Sequence, residues 1–400
     1  MSRIERSTTR VRDLEKLERW SYALHVPDRC LWFERTPQAP NAYRPTSDSS
    51  RLQSSAIDDG SDVQRRDFLK KAGTGALVLG SSLFQAQGRV CEIGKIPAGN
   101  PDVETIKEMT KTFRRLDNLY GGGRNRSALE SFLTSSVSRM LKESGRPERT
   151  KFELFGAAAE MHQLAGWMAH DVGQAKEGRR HLREALRLTQ ESGNDALSGE
   201  MLAGMSHHAA FYGSAESAVD LALAARQDAK RSGLPALIAE SAVMEAHGLA
   251  MQGDKPGALA ALRTAEQVFD RASKEEQPAW LSYFDEAYMA AKFAHTFRDL
   301  DMPQEAELFA HRSLEMSEGY ERGRLFNTAL LASILADQRR IEEACRTGGI
   351  ALDMTLNVRS TRSSAYLARI GQRLAPFRSH ATVQGFYEKM ESVGLPTPSV

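Results

Sequence analysis

Apolar residues recur at helical spacing over most of this chain. From about residue 103 to the C-terminus they repeat every three to four positions, and strand-like alternation is absent. Ala, Leu, Glu, Arg and Met predominate there, and these residues have high helix propensity. The pattern predicts an all-α fold with a helical domain over residues 103–400.

The pattern changes before that domain. Residues 1–35 are charged and helical in period, and Pro27 ends the helix. Residues 36–64 are rich in Pro, Ser, Asp and Gln and have no period, so we predict a disordered linker. Residues 65–102 follow, and we expect a hinge helix and a loop there.

Small residues form an internal repeat within the helical domain. Three positions at fixed offsets are Ala, Gly or Ser in each of five units, with spacings of 40, 40, 48 and 38 residues. Small residues let paired helices approach closely. The first position follows each predicted inter-helix turn, and the others lie twelve residues before it and seven after it. The three sets are Gly178, Ala218, Ala258, Ala306 and Ala344; Gly166, Ser206, Ala246, Ala294 and Ala332; and Ala185, Ala225, Ala265, Ser313 and Ala351.

This repeat resembles the tetratricopeptide repeat, in which pairs of helices carry small residues at three such positions. The resemblance covers about residues 150–356, in five units. The period of about 40 is longer than that family's ~34, and its usual proline at the end of the second helix is missing. The resemblance implies a right-handed superhelical stack of helical hairpins, tetratricopeptide-like in its packing.

The repeat register also selects residues for the concave face, which the first helix of each pair lines in the resembled family. Two positions seven residues apart share one helical face. The favoured interpretation is that Glu and His from adjacent units pair and set the stacking. The alternatives are a groove that binds a partner, peptide or polar ligand with pH dependence, and, least favoured, a metal site. The candidate groove residues are Glu160, Trp167, Glu200, His207, Glu240, His247, Tyr288 and His295.

Motifs of catalysis are missing from the helical region. It contains no nucleophile elbow, phosphate loop or HExxH sequence, so we predict neither an enzyme nor a bound cofactor or metal. The glycine-rich Tyr120–Gly123 follows a predicted helix, which favours a hinge over a phosphate cradle. The basic segment Arg359–Leu374 is interpreted as the solvent-facing side of a late helix, with a partner contact as the alternative.

Composition narrows the class of protein further. The net charge of +1 gives no overall attraction to nucleic acid or membrane, so any basic site must be local. The cysteines Cys30, Cys91 and Cys345 lie far apart and suggest reduced, structural thiols. The apolar run Ala72–Phe84 has 13 residues, fewer than the ~20 that span a bilayer.

The N-terminal segment resembles the back half of a helix-turn-helix domain of the Cro/repressor, xenobiotic-response-element class. Ser2–Glu5, "SRIE", match the end of a recognition helix, and Pro27 follows the next helix. The core face of that helix matches at Leu14, Leu17, Ala23, Leu24 and Val26. The front half of the domain is missing, so we expect an N-terminally truncated chain; an amphipathic arm is the alternative. The resemblance implies phosphate contacts by Arg3, Arg6, Arg10 and Arg12.

The order of segments resembles a group of actinobacterial transcriptional regulators with helical repeats. A helix-turn-helix remnant, a linker, an "RRxFL" segment and "FRRLDNLYGGGR" precede the repeats. The resemblance implies a cytoplasmic regulator whose repeat domain binds a protein, peptide or small signal, with homodimerisation as a further expectation. DNA would be a partner with the missing N-terminus restored, and DNA binding would be impaired or lost without it.

The stretch around Arg65, Arg66, Phe68 and Leu69 leads to a second hypothesis. These residues match a twin-arginine export signal, but the preceding region is far too long for one. We therefore favour an amphipathic hinge helix. The alternatives are an exported or membrane-associated repeat protein and a scaffold that does not bind DNA.

Overall fold

The computed structural model describes residues 100–272, 277–358 and 360–398. The predicted helix-turn-helix remnant, linker and twin-arginine-like segment, including Arg3, Arg6, Arg10, Arg12, Arg65, Arg66, Phe68 and Leu69, lie outside the described residues. The described part is all-α and has no strand, which confirms the predicted fold class. None of its helices is both long enough and apolar enough to cross a membrane.

The helices follow one another in antiparallel pairs after a short N-terminal group. The first helix, α1, begins at Pro101, where the Asn100 side chain caps its N-terminus. A short π-helical stretch, Leu133–Val137, joins α2 to α3. The helices of the first group are α1 (Pro101–Tyr120), α2 (Arg126–Phe132) and α3 (Ser138–Lys142). The pairs are α4 (Glu148–Asp171) with α5 (Ala175–Ser192), α6 (Asp195–Phe211) with α7 (Ala215–Ser232), α8 (Pro235–Met251) with α9 (Lys255–Ala272), α10 (Glu286–Asp299) with α11 (Pro303–Arg312), and α12 (Glu321–Asp337) with α13 (Ile341–Met354).

All fifteen small residues of the predicted repeat are buried, which confirms the hairpin units. They lie where the paired helices touch. A Cβ atom on Gly166 would lie only 2.9 Å from Cγ of Leu182 on the partner helix. The Ser206 hydroxyl donates a hydrogen bond of 2.7 Å to the carbonyl oxygen of Ala218 across the second pair. Larger side chains at these positions would force the helices apart.

The turns inside the pairs share one backbone conformation. The residue five positions before each repeat anchor has a positive φ, which favours glycine. It is glycine in three turns, but Asp301 has φ 55° and Arg339 has φ 61°. The second helices of the first two pairs end at Gly193 and Gly233, both left-handed, as the sequence predicts for C-terminal caps.

The stack continues one layer beyond the five units found in the sequence. The next helix, α14, spans Thr361–Leu374, and α15 spans Ala381–Ser392. They pack on the preceding pair, α14 against α12 and α15 against α13. The first helix α1 lies on the other side of the array, against α4.

The two ends of the stack meet. Helix α1 also contacts α12, and α14 contacts α4, so the array curves back on itself. The buried carboxylate of Asp171, at the end of α4, joins these elements. It accepts a hydrogen bond of 2.9 Å from the backbone N–H of Gly122 and one of 2.8 Å from the hydroxyl of Ser360. Arg322, at the start of α12, donates to Asp117 on α1 at 2.6 Å.

The glycine-rich stretch after α1 is part of this closure. It follows a helix, as predicted, and it is packed tightly against α4. A Cβ atom on Gly122 would lie 2.6 Å from the carbonyl oxygen of Met168, so only glycine brings its N–H to Asp171.

We predict that Arg322→Met destabilises the fold by about 3 kcal/mol, because Asp117 and Asp171 then lose a buried counter-charge. Both carboxylates are almost fully buried, and the Arg322 guanidinium lies 4.0 Å from Asp171. Urea unfolding of the full chain measures the change. The control is Arg187→Met, which breaks an exposed pair with Glu184 and should cost less than about 1 kcal/mol. Equal losses in the two variants would show that the closure is not held by this arginine.

Candidate ligand-binding site

A cavity of about 200 Å³ lies on the concave side of the curved stack. Its wall comes from α1, from the first helix of each pair and from α14, together with the loops that precede α10 and α12. This is the concave face that the repeat register predicts. Five of the eight predicted groove residues lie on the wall: Trp167, His207, Glu240, Tyr288 and His295.

Aromatic rings form much of the wall. Trp167 meets the His207 ring edge-on with centroids 5.1 Å apart, and Phe326 lies 5.1 Å from Tyr366. Tyr283 and Tyr288 meet edge-on at 5.2 Å. Aromatic walls with a few polar groups are typical of small-molecule sites.

A carboxyl pair lies at one part of the wall. The Tyr283 hydroxyl is 2.8 Å from Oε1 of Glu200 and 2.5 Å from Oε1 of Glu240. Gln163 donates to the same Glu200 oxygen at 2.6 Å. Burial, and then the neighbouring Glu200, raise the pKa of Glu240 well above its usual range. The single phenolic proton of Tyr283 cannot bond to both carboxylates at once. The raised pKa of Glu240 means that this carboxyl group keeps its own proton, which is the second proton of the group.

A lysine and a histidine form a second polar pair. The ammonium of Lys292 is 2.7 Å from Nδ1 of His207. Burial, and then the positive charge of Arg362, lower the pKa of Lys292 to about 7. Burial also lowers the pKa of His207 well below its usual value, with Lys292 as the next cause. His207 is therefore the neutral acceptor, and Lys292 changes its charge near neutral pH.

The interpretation of Arg359–Leu374 as a solvent-facing helical side needs correction at one residue. The segment does form α14, and Arg369 on it is exposed. Arg362, however, is only 8% exposed and lies on the cavity wall. Its guanidinium stands 4.6 Å from the ring centre of Phe326 and 5.4 Å from that of Phe211. Closure of the stack buries this arginine, because it brings α14 against the first layers.

The favoured pairing of Glu with His between repeats is wrong. Glu200 and Glu240 bond to Tyr283, while His207 bonds to Lys292. His247 pairs with Asp299 at 3.2 Å and lies against the His295 ring. Both histidines bond to residues of α10. The glutamates of the neighbouring layers bond instead to Tyr283, in the segment that precedes α10.

The remaining three predicted groove residues lie off the wall. Glu200 stands behind it through Gln163 and Tyr283, and His247 stands behind it through His295. Glu160 has a pKa raised by burial and lies within the electrostatic reach of Arg114 on α1. Contact between these eight residues and a ligand or partner stays a prediction.

Several residues of the cavity wall were not predicted from the sequence. One of them, Tyr283, could have been predicted from the spacing of the repeats. Tyr283 lies in the unit whose spacing is 48 residues, and the extra residues precede α10. An irregular spacing in a regular repeat marks an insertion, and insertions on one side of a repeat array often contribute to binding. Arg114, Lys292 and Arg322 had no such signal, because charged helical residues are usually solvated. Arg362 lies in the basic segment Arg359–Leu374, for which a partner contact is the alternative interpretation.

The described residues contain no group of three or more His, Cys, Asp or Glu side chains that could hold a metal ion. In the described residues, His207 on the wall bonds to Lys292 and Tyr288, and His247 behind the wall bonds to Asp299. The polar part of the wall therefore consists of buried groups that share protons and of one positively charged region.

No protein-family model matches the sequence, and no curated protein matches it. Among solved structures, the apo form of the quorum sensor NprR from B. thuringiensis is similar. The similarity covers 83% of this chain and 94% of that chain, at 14% identity and a TM-score of 0.42. Likeness at this level gives no ground for a shared ligand or activity.

Histidines packed between the first layers predict a loss of stability in acid. Burial lowers the pKa of His162 to about 4 and that of His181 and His208 to about 3, from the ordinary histidine value of 6.5. The unfolded chain therefore binds more protons than the folded chain below about pH 6.5, and stability falls as the pH falls through this range.

We expect each such histidine to remove about 2 kcal/mol of folding stability between about pH 7.5 and pH 5. The variant His208→Gln should therefore lose about 2 kcal/mol less than the unaltered chain over that interval, whatever its stability at pH 7.5. Urea unfolding at both pH values measures the difference. The same pH dependence in the variant and the unaltered chain would contradict a neutral, buried His208.

Proposed function

We propose that this chain is a sensory regulator whose helical-repeat domain binds a small polar signal or the end of a short peptide. The observation that carries the proposal is the cavity of about 200 Å³ on the concave side of the stack. Its wall combines aromatic rings with groups whose pKa values are strongly shifted, such as Lys292 and Glu240. Enclosed pockets with this composition are typical of ligand sites.

The size of the cavity supports a small ligand. One water occupies about 30 Å³ of liquid, so the space corresponds to roughly seven waters. A small organic molecule or one or two amino-acid residues fits this volume. A folded partner protein would have to use the outer surface instead.

The position of the cavity supports a regulatory role. Asp117 and Arg322, which pair across the closure, both lie on its wall, and so does Arg362 of α14. A ligand there would contact the first and the last layers together. It would bind the closed stack better than an opened one and shift the population towards closure. Residues 1–99 lead directly into α1, one of the closing elements.

The output of the regulator is proposed from the resemblance of residues 1–35 to a helix-turn-helix segment. Arg3, Arg6, Arg10 and Arg12 would contact phosphates of DNA, which positions a protein without specifying a sequence. We place this regulator in the cytoplasm and regard it as a binding protein rather than an enzyme.

Filling the cavity is expected to prevent ligand binding. Ala291 lies on the wall and is almost fully buried, so Ala291→Trp places a large ring in the space. We expect native mass spectrometry of the chain purified from its source cells to show a bound small molecule, and the variant to lack it. Leu308→Trp is the control, since Leu308 is 58% exposed on α11.

Circular dichroism checks that Ala291→Trp is folded, and Ala291→Phe replaces it otherwise. A small molecule kept equally by the filled variant would place the ligand elsewhere. A source-cell preparation that carries no ligand would contradict the proposal.

The DNA-binding output predicts a strong dependence on salt. The affinity of the chain for duplex DNA should fall as salt rises, because phosphate contacts release counterions. Replacing Arg3, Arg6, Arg10 and Arg12 with Gln should reduce the slope of log affinity against log salt by about one for each lost contact. Fluorescence anisotropy of a labelled duplex measures both, with Arg187→Gln on α5 as the control. Absence of binding at low salt would remove DNA from the proposal.

A further inference from the structure

Arg362 is a buried cation whose charge has no partner. Its side chain is 8% exposed, and its Nε–H is buried without an acceptor. Among the residues that the structure describes, no carboxylate forms an ion pair with Arg362, and its guanidinium contacts aromatic rings. By contrast, Arg322 on the same wall is paired with Asp117 at 2.6 Å.

Burying an unpaired charge costs several kcal/mol. The faces of Phe326 and Phe211 offset part of that cost through their interaction with the cation. Ring faces do not satisfy the N–H donors that lie in the plane of the guanidinium. The free chain therefore carries a destabilising group at the wall of its enclosed cavity.

The charge of Arg362 is felt by the groups around it. It is the second cause, after burial, of the lowered pKa values of Lys292 and His170. It also lowers the pKa of His207, after burial and Lys292. The acids of the wall do not compensate for it, since Asp117 is bonded to Arg322, Glu240 to Tyr283 and Asp285 to the backbone N–H of Tyr288. This part of the cavity is therefore an electropositive region.

We propose that Arg362 anchors the carboxylate of a small organic acid that enters the cavity. This deepens the proposed function, on which it rests, by naming the chemical class of the signal. The planar guanidinium can donate to two carboxylate oxygens at once, and the carboxylate supplies the counter-charge that Arg362 lacks. The aromatic or apolar body of the acid lies against the rings of Trp167, Tyr288 and Tyr366 on the same wall.

The same carboxylate chemistry is found in a free aromatic acid and at the C-terminus of a short peptide. Two pairs of probes separate these sources. The first pair is 3-phenylpropionate and its neutral amide, and the second is the dipeptide Gly-Phe and Gly-Phe amide. Isothermal titration calorimetry of the full chain measures their affinities.

We expect at least one acid probe to bind about ten- to hundredfold more tightly than its amide, because charged hydrogen bonds contribute that much. Arg362→Met should remove this preference. Arg369→Met should keep it, because Arg369 lies on the same helix near the rings of Phe211 and Tyr366 but is exposed. The bound carboxylate should also raise the pKa of Lys292, so binding near pH 7 takes up a proton, which titration in two buffers detects.

The melting temperature of the ligand-free chain separates a binding role from a structural one. Arg362→Met should melt at or above the temperature of the unaltered chain, because it removes an unpaired buried charge. A melting temperature lowered as far as in Arg322→Met would make Arg362 a structural cation and overturn the proposal.

Equal affinity of acid and amide, or no binding of either acid at millimolar concentration, would also overturn the assignment of Arg362. These outcomes leave the cavity as a site for a neutral signal, which the Ala291→Trp comparison tests by itself. Loss of a neutral ligand in Ala291→Trp would keep the sensory function and remove only the carboxylate.

Discussion

The closure of the helical stack depends on one buried carboxylate. Asp171 accepts hydrogen bonds from Gly122, 49 residues before it, and from Ser360, 189 residues after it. Arg322 lies beside it and reaches back to Asp117. Stacked hairpins contact only their neighbours and leave an open groove. Here the contacts around Asp171 bring the ends of the stack together, and the groove narrows to a cavity.

The interior of that space is polar where a helical stack would normally be apolar. Glu200 and Glu240 share the hydroxyl of Tyr283, Lys292 donates to a neutral His207, and Arg362 stands between rings. A core built only for stability would replace these groups with packed hydrocarbon. Their retention in one enclosed volume is the usual compromise between folding stability and a preorganised binding site.

The sequence predicts those features of the fold that depend on residues close to one another along the helices. The small residues that let paired helices touch, and the groove positions seven residues apart, follow from local geometry. The closure does not, because Arg322 and Asp117 are 205 residues apart and neither departs from an ordinary helical pattern. For the same reason the sequence suggests that Arg362 faces solvent. The sequence also does not show that the glutamates bond to Tyr283 of the insertion instead of to histidines.

Closure also determines the order of events in folding. Contacts within and between adjacent hairpins span few residues and form at low entropic cost, whereas the bonds of Asp171 and Arg322 bridge most of the domain. We expect these long-range bonds to form after the main transition state, and therefore to slow unfolding without accelerating folding. A molecule bound inside would contact both ends of the stack, so we expect its residence time to lengthen with the lifetime of the closure.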